Sequence, residues 1–295
     1  MLETFIAVHD QDIIIQAEKN NLFRNAKNYK WLFLGKRPVD KLAKYKHKVI
    51  IARDLPDNIE GEKCLFDYTG WYAVAKNNLI KGEYTSFVQY DCYLKDNYGR
   101  EIRKTLKEYK DCFIGFQPHN LDCNYFISDN YSKAIKKAIL KVYNIDVEKL
   151  VEDAILAGDP FWAGGRTFVC TKKWLNDYIN WFEAIKPEII DDKMAAHNSE
   201  RGIKLFCLIN GVHDVYLPQV MEHIFNCDHD QVYLTEEVHK RTRKRYNKFI
   251  KGELFAEERQ KRIKCFLQTI FSAKNQGTRK VITILGIKIK IRRGV

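Results

Sequence analysis

The segment FVQYDCYLKD, Phe87 to Asp96, holds the residue best placed to do chemistry. An apolar run, Phe87–Val88, passes through Gln89 and Tyr90 to Asp91, the pattern of a strand that ends in a carboxylate. In open α/β sheets ligands bind beyond the carboxyl ends of the strands. A carboxylate there can hold a hard divalent cation, and the cation in turn neutralises a diphosphate. The chemistry served is the departure of a diphosphate leaving group, which puts negative charge on oxygens that need a cation. The competing reading of Asp91 is a solvated strand-end residue. The next acid is Asp96, so no D-x-D pair is present. A metal at Asp91 therefore has to draw on distant residues, and His213 and His223 are the candidate nitrogen ligands.

Two further stretches have suitable residue types. In PFWAGGRTFVC, Trp162 can stack on a sugar face and Asp159 can accept sugar hydroxyls. Gly164 and Gly165 let the backbone approach a ligand closely, or form a tight turn that needs positive φ. In HNSERGIKLF, Glu200 opens an apolar segment at an expected helix start, capped by Asn198 or Ser199. Glu200, or Asp191 or Asp192 upstream, is the candidate base for deprotonating an acceptor hydroxyl. A first-turn Glu favoured by the helix dipole is the alternative.

These residues need a scaffold, and the hydrophobic pattern supplies one. FIAVHD, YKWLFLG (29–35) and HKVIIARD (47–54) read as strands separated by helical or loop segments. FDYTGWYAVAKNNL (66–79) reads as a helix that leads into the strand YTSFVQYD (84–91). CFIGFQ is a further short strand, and 130–143 and 147–157 are helical. Residues 158–182 give a loop, a strand and a helix whose Trp174, Tyr178, Trp181 and Phe182 share one face, as core packing requires. This alternation predicts an α/β layered fold.

Composition narrows the class. The 295 residues are 45% hydrophobic and 13% aromatic, enough for a substantial core. No stretch approaches the ~18–20 apolar residues of a membrane span. The start, MLETFIAVHDQD, lacks a basic n-region, so no signal peptide is expected. Eight cysteines with no C-x-x-C pair point to reduced thiols rather than a zinc ribbon or disulfide scaffold. The net charge of +12 is uneven. Residues 241–295 contain 17 Lys/Arg against 3 Asp/Glu, which leaves the first 240 residues at −2.

The order DYTGWYAVAKNN, EYTSFVQYDCYL, FWAGGRTFVCTKKWLNDYINWF and SERGIKLFCLI resembles bacterial capsule and lipopolysaccharide glycosyltransferases of the GT-A type. The finish LGIKIKIRR resembles the short basic-apolar ends of such enzymes. The resemblance covers roughly residues 1 to 225 and the last dozen. It implies a GT-A, Rossmann-like mixed sheet flanked by helices, with a nucleotide-sugar donor and Mn²⁺ or Mg²⁺. It also implies a cell-surface polysaccharide or lipopolysaccharide acceptor, with inversion at the anomeric carbon. By carry-over, His9 and Asp10 lie near the nucleotide, Lys76 and Asn77 near the donor, and Asp91 near the diphosphate and metal. Trp162, Gly164 and Gly165 shape the sugar site, and Glu200 is the base.

The expected organisation is a catalytic domain over 1–240 and a basic helical and strand region over 241–295. That region suits an anionic leaflet, and the resemblance makes the acceptor a saccharide or lipid-linked one. The expectation is a cytoplasmic protein, peripheral to the inner face of the bacterial inner membrane. The region can also pack on its own body or on a second copy as a homo-oligomer. A nucleic-acid-binding protein or nuclease using the same charge is the rival class. The near-neutral body and the absence of a zinc-finger or RNP-type motif count against nucleic acid as a partner.

Overall fold

The computed structural model describes residues 2–121, 126–164, 166–224, 236–276, 279–284 and 287–292. The run LETFIAV forms β1 (Leu2–Val8), followed by α1 (Gln11–Lys19), β2 (Tyr29–Phe33) and β3 (Val49–Ile51). Next come α2 (Asp67–Lys76), β4 (Tyr84–Gln89), β5 (Cys92–Leu94), α3 (Tyr98–Glu108), β6 (Phe113–Gly115) and β7 (Pro118–Asn120). The middle of the chain gives α4 (Asp129–Tyr143), α5 (Val147–Leu156), β8 (Phe161–Ala163), β9 (Phe168–Thr171), α6 (Lys172–Ile185) and α7 (Ala195–Asn210). β10 (Asp214–Tyr216) and β11 (Met221–His223) follow. The basic end forms α8 (Glu236–Ile250), α9 (Glu253–Ile270) and a meander of β12 (Phe271–Gln276), β13 (Arg279–Ile284) and β14 (Ile287–Arg292).

Seven strands make the central sheet, in the order β10-β6-β9-β4-β1-β2-β3. β3, β2, β1 and β4 are parallel neighbours. β9 runs antiparallel to β4 and β6, and β10 is parallel to β6, so one strand alone is reversed. This is a mixed, Rossmann-like α/β sheet with helices on both faces. Strand side chains alternate between faces, and both faces here are apolar, as a sheet covered on two sides requires. Phe5, Leu32, Phe87, Phe113 and Phe168 join one core with Trp71, Trp174 and Tyr178 from α2 and α6. Ile6, Trp31, Val88, Ile114 and Val169 join the other, with Ile14 of α1 and Ile102 of α3. The aromatic face of α6 is core, with Trp174 stacked on Tyr178 at 5.2 Å between centroids.

The helix expected to start near Asn198 begins at Ala195 instead. Asp192 closes the preceding turn by accepting from the Met194 N–H at 2.6 Å. The Ser199 hydroxyl bonds back to the Ala196 carbonyl, which is how a Ser sits inside a helix rather than capping it.

The start of the basic region is joined to the body. Phe249, Leu254 and Phe255 are buried in the second core. The Arg24 guanidinium lies 3.6 Å from the Phe255 ring centroid, and Asn20 Nδ2 donates to the Ile250 carbonyl at 2.6 Å. Residue 240 lies inside α8. Among the described residues no helix is long and apolar enough to cross a membrane.

On the β2 side of the sheet, Glu18 of α1 accepts from Tyr29 Oη (2.6 Å) and Trp31 Nε1 (2.8 Å) and pairs with Lys48 Nζ (3.1 Å). Burial alone would raise its pKa, but these donors outweigh burial and hold it below 4.5. A lowered folded-state value means that Glu18 contributes stability above its unfolded pKa and loses it as pH falls through the folded value. Urea denaturation from pH 7 to pH 3 is expected to show this. Glu18→Gln should be less stable at pH 7 and should lose less stability on acidification.

Candidate functional site

The parallel strands β1, β2 and β4 end together, and the crevice beyond their carboxyl ends has a volume of about 430 Å³. β1 delivers His9, β2 delivers Gly35 and β4 delivers Tyr90 and Asp91. Glu60 and Asp67 line the same crevice, with Gln89 and Arg166.

Each carboxylate there has a defined partner. Gly35 sits at φ +80°, a conformation that suits glycine, and its N–H donates to Glu60. Glu60 also accepts from the Thr69 hydroxyl at 2.5 Å. Asp67 accepts from Gln89 Nε2 and lies 4.0 Å from the Arg166 guanidinium. Asp67 is the first residue of α2, so the helix N-terminus, with its outward N–H groups, opens on the crevice. Phe66, just before it, has φ +47° and a ring that is 61% exposed, facing the Arg166 guanidinium at 5.4 Å. A bulky residue at positive φ is uncommon and concentrates at functional sites.

Asp91 is buried, and its Oδ1 lies 3.0 Å from His223 Nε2. His223 reaches it because β11 pairs antiparallel with β5, immediately after Asp91. The His223 Nδ1 is buried and has no hydrogen-bond partner among the described residues. One potential ligand atom each from Asp91, Cys92 and His223 lies within 4.8 Å of the other two. A carboxylate, an imidazole and a thiol are a ligand set that fits a divalent transition ion.

The crevice wall also tunes its own groups. Loss of solvation, then the Arg37 guanidinium, lowers the His9 pKa, which favours the uncharged ring. The His9 ring meets Tyr90 edge-on at 5.3 Å. Burial, then Asp91 and Asp10, pushes the Tyr246 hydroxyl of α8 up to about 12, so the basic end of the chain reaches the vicinity of Asp91.

The other sequence-predicted residues are distributed unevenly. Asp10 caps α1 through the Asp12 N–H and pairs with Arg37 at 2.9 Å beside the crevice. Lys76 and Asn77 lie at the opposite end of α2 from Asp67. There Lys76 donates to Asn180, and Asn77 donates to the Ala73 and Asp57 carbonyls. His213 precedes β10 at the far end of the sheet order, with its ring against Tyr109 at 5.0 Å. It is not brought to Asp91.

Trp162 is buried against Phe126 and His119, below the Arg201 guanidinium. Gly164 is needed for close approach rather than for positive φ, since a Cβ there would meet His119 Cδ2 at 2.6 Å. Gly165 lies outside the described residues. Glu200 is buried in α7, Asp191 is exposed and Asp192 serves its turn. None of these three lines the crevice. Asp159 pairs with Lys204 at 2.6 Å.

Sequence reasoning missed Glu60, Asp67, Cys92, Arg166 and Tyr246. For Asp67 there was a signal, an acid in the first turn of a helix that follows a loop from a strand.

No known protein family and no curated protein matches the sequence. Among solved structures the chain is similar to WbbM, a bifunctional glycosyltransferase determined in its apo form. The TM-score is 0.49 and the identity 16%, covering 75% of this chain. The match spans 45% of that protein's length.

Proposed function

We propose that the protein is a GT-A-type glycosyltransferase. It would move a sugar from a nucleoside-diphosphate donor to a saccharide or lipid-linked acceptor of a cell-surface polysaccharide or lipopolysaccharide. The observation that carries this reading is Asp91, buried at the end of β4 against His223 and lining the crevice formed by β1, β2 and β4. Glu60, Asp67 and Asp91 give the crevice three carboxylates, which would repel a diphosphate unless a cation stood between them. Asp91 and His223 would hold that ion. A bound divalent ion would supply neutralisation of the charge that builds on the departing diphosphate.

The chain's own groups take the remaining roles. The α2 N-terminus and the Arg166 guanidinium favour the phosphates. The exposed Phe66 ring offers an apolar face at the mouth, and His9 of the lining is a hydrogen-bonding partner for the donor. The test is release of nucleoside diphosphate from a panel of nucleotide sugars with Mn²⁺ or Mg²⁺ present. Metal-dependent release with at least one donor supports the reading. No release from any donor, with and without saccharide acceptors, contradicts it.

We also propose that α9 rests on an anionic membrane surface, which would place the enzyme at the inner face of the membrane. Ile263, Phe266 and Leu267 are exposed on α9 among exposed Arg259, Lys261 and Lys264. Arg262 fixes this helix to Asp96 at 2.7 Å, next to α3 with its exposed Arg103, Lys104 and Lys107. An apolar row flanked by basic residues suits the headgroup boundary, and each basic side chain there contributes about 1 kcal/mol. Cosedimentation with phosphatidylglycerol vesicles is expected, falling with salt and with the triple change Ile263→Ser, Phe266→Ser and Leu267→Ser. Equal binding to neutral vesicles, or none to anionic ones, would refute the contact.

A further inference from the structure

We infer that Cys92 is a third protein ligand beside Asp91 and His223, which makes this a thiolate-containing metal site suited to Zn²⁺ or Co²⁺ rather than to Mg²⁺. The inference rests on reading Asp91 and His223 as metal ligands, and its test uses metal alone, without any donor sugar.

The pairing register sets the geometry. In the β5–β11 ladder His223 stands directly opposite Cys92, so both belong to one face of the ribbon. Asp91 is the residue before β5, and its carbonyl accepts from the Ile224 N–H at 3.2 Å, which ties the end of β11 to that point. The carboxylate, thiol and imidazole thus each bring one potential ligand atom within 4.8 Å of the other two. A tetrahedral ion with ordinary bonds to sulfur and nitrogen keeps its ligands roughly 3.3–3.8 Å apart, so binding would draw the widest-spaced atoms together by up to about 1–1.5 Å and leave a fourth position for a non-protein ligand.

Burial supports the same conclusion. Cys92 is fully buried, and the side chains of Asp91 and His223 are 5% and 4% exposed. Asp91 Oδ1 and His223 Nε2 face each other at 3.0 Å, so an ion bound by both would take the place of the proton they share. A thiolate and an imidazole beside one carboxylate are borderline to soft donors, whereas Mg²⁺ takes oxygen ligands in octahedral geometry.

Binding balances simply. The S–H bond of Cys92 breaks, a sulfur–metal bond forms and one proton leaves to solvent. Asp91 binds through a carboxylate oxygen and His223 through a ring nitrogen, and no redox change occurs.

The experiment titrates the full chain with Co²⁺ and follows the optical spectrum, then repeats the titration with Zn²⁺ in competition. One Co²⁺ per chain is expected, with a sulfur-to-cobalt charge-transfer band that Zn²⁺ bleaches. Cys92→Ser should lose the band and weaken Zn²⁺ binding by about 100-fold or more. The absence of a charge-transfer band in the wild-type protein overturns the inference and needs no variant. A folded Cys92→Ser that binds both ions as wild type does overturns it as well. Failure here leaves the donor screen untouched, because a site of Asp91 and His223 alone can still serve Mn²⁺.

Discussion

Replacing Asp91 with Asn is expected to lower nucleotide-sugar turnover by about 10²–10³-fold, the usual loss when a group that stabilises developing charge is removed. Asn keeps the shape and an oxygen that can still accept from His223 Nε2, now 3.0 Å from the carboxylate. The fold should therefore survive, while the charge that holds a cation at the end of β4 is gone. Lys76→Ala is the matched control. Lys76 bonds Asn180 at the far end of α2, away from the crevice, and its loss should leave turnover within about twofold, since surface changes away from special features are usually near neutral. Steady-state assays of both variants, with circular dichroism to check folding, decide the point. If Asp91→Asn turns over as wild type does, the phosphate pole of the site lies elsewhere.

The largest expected effect on stability belongs to Lys204. It is 2% exposed in α7, with its Nζ 2.6 Å from Asp159 and 2.8 Å from Asp214. The Tyr216 hydroxyl also donates to Asp214, and burial, followed by that carboxylate, pushes the phenol pKa strongly up. Lys204→Ala would leave the buried Asp214 carboxylate without its cation. Breaking a buried pair in this way costs about 3–5 kcal/mol, because the remaining charge is uncompensated. Urea denaturation is expected to show that loss. The double variant Lys204→Met with Asp214→Asn should recover part of it, since replacing a buried pair together is far less costly than breaking it. A fall of under about 1 kcal/mol for Lys204→Ala would show the pair to be a solvent-screened contact.

Much of the scaffold was legible because it depends on apolar runs. β1, β2 and β4 announce themselves as short hydrophobic stretches that end in polar residues, and the strand ends then place His9 and Asp91 at one edge. The three-residue strands β5 and β11 were not legible, because three residues carry no usable periodicity. They nevertheless bring His223 to Asp91 across 132 positions and place Cys92 beside it. The Lys76-Asn77 pair illustrates the opposite error. A polar pair at the end of a helix has the residue types of a binding motif, but Asn77 is occupied with the orphan carbonyl of Ala73 that every helix end leaves. Glu200 likewise has the type of a base, yet burial within α7 is a tertiary property that no local pattern reports. The approach of α8 to Asp91, through Tyr246, was hidden by the high charge of its sequence, which reads as a solvated surface.

The most direct measurement is calorimetric titration of nucleotide sugars into wild-type protein and Asp91→Asn, each with and without a divalent ion. Saturable binding of at least one donor by the wild type is expected, strengthened by the ion, with loss of that strengthening in Asp91→Asn. Donor binding that is the same in both proteins and indifferent to metal would contradict it, as would no binding of any nucleotide sugar.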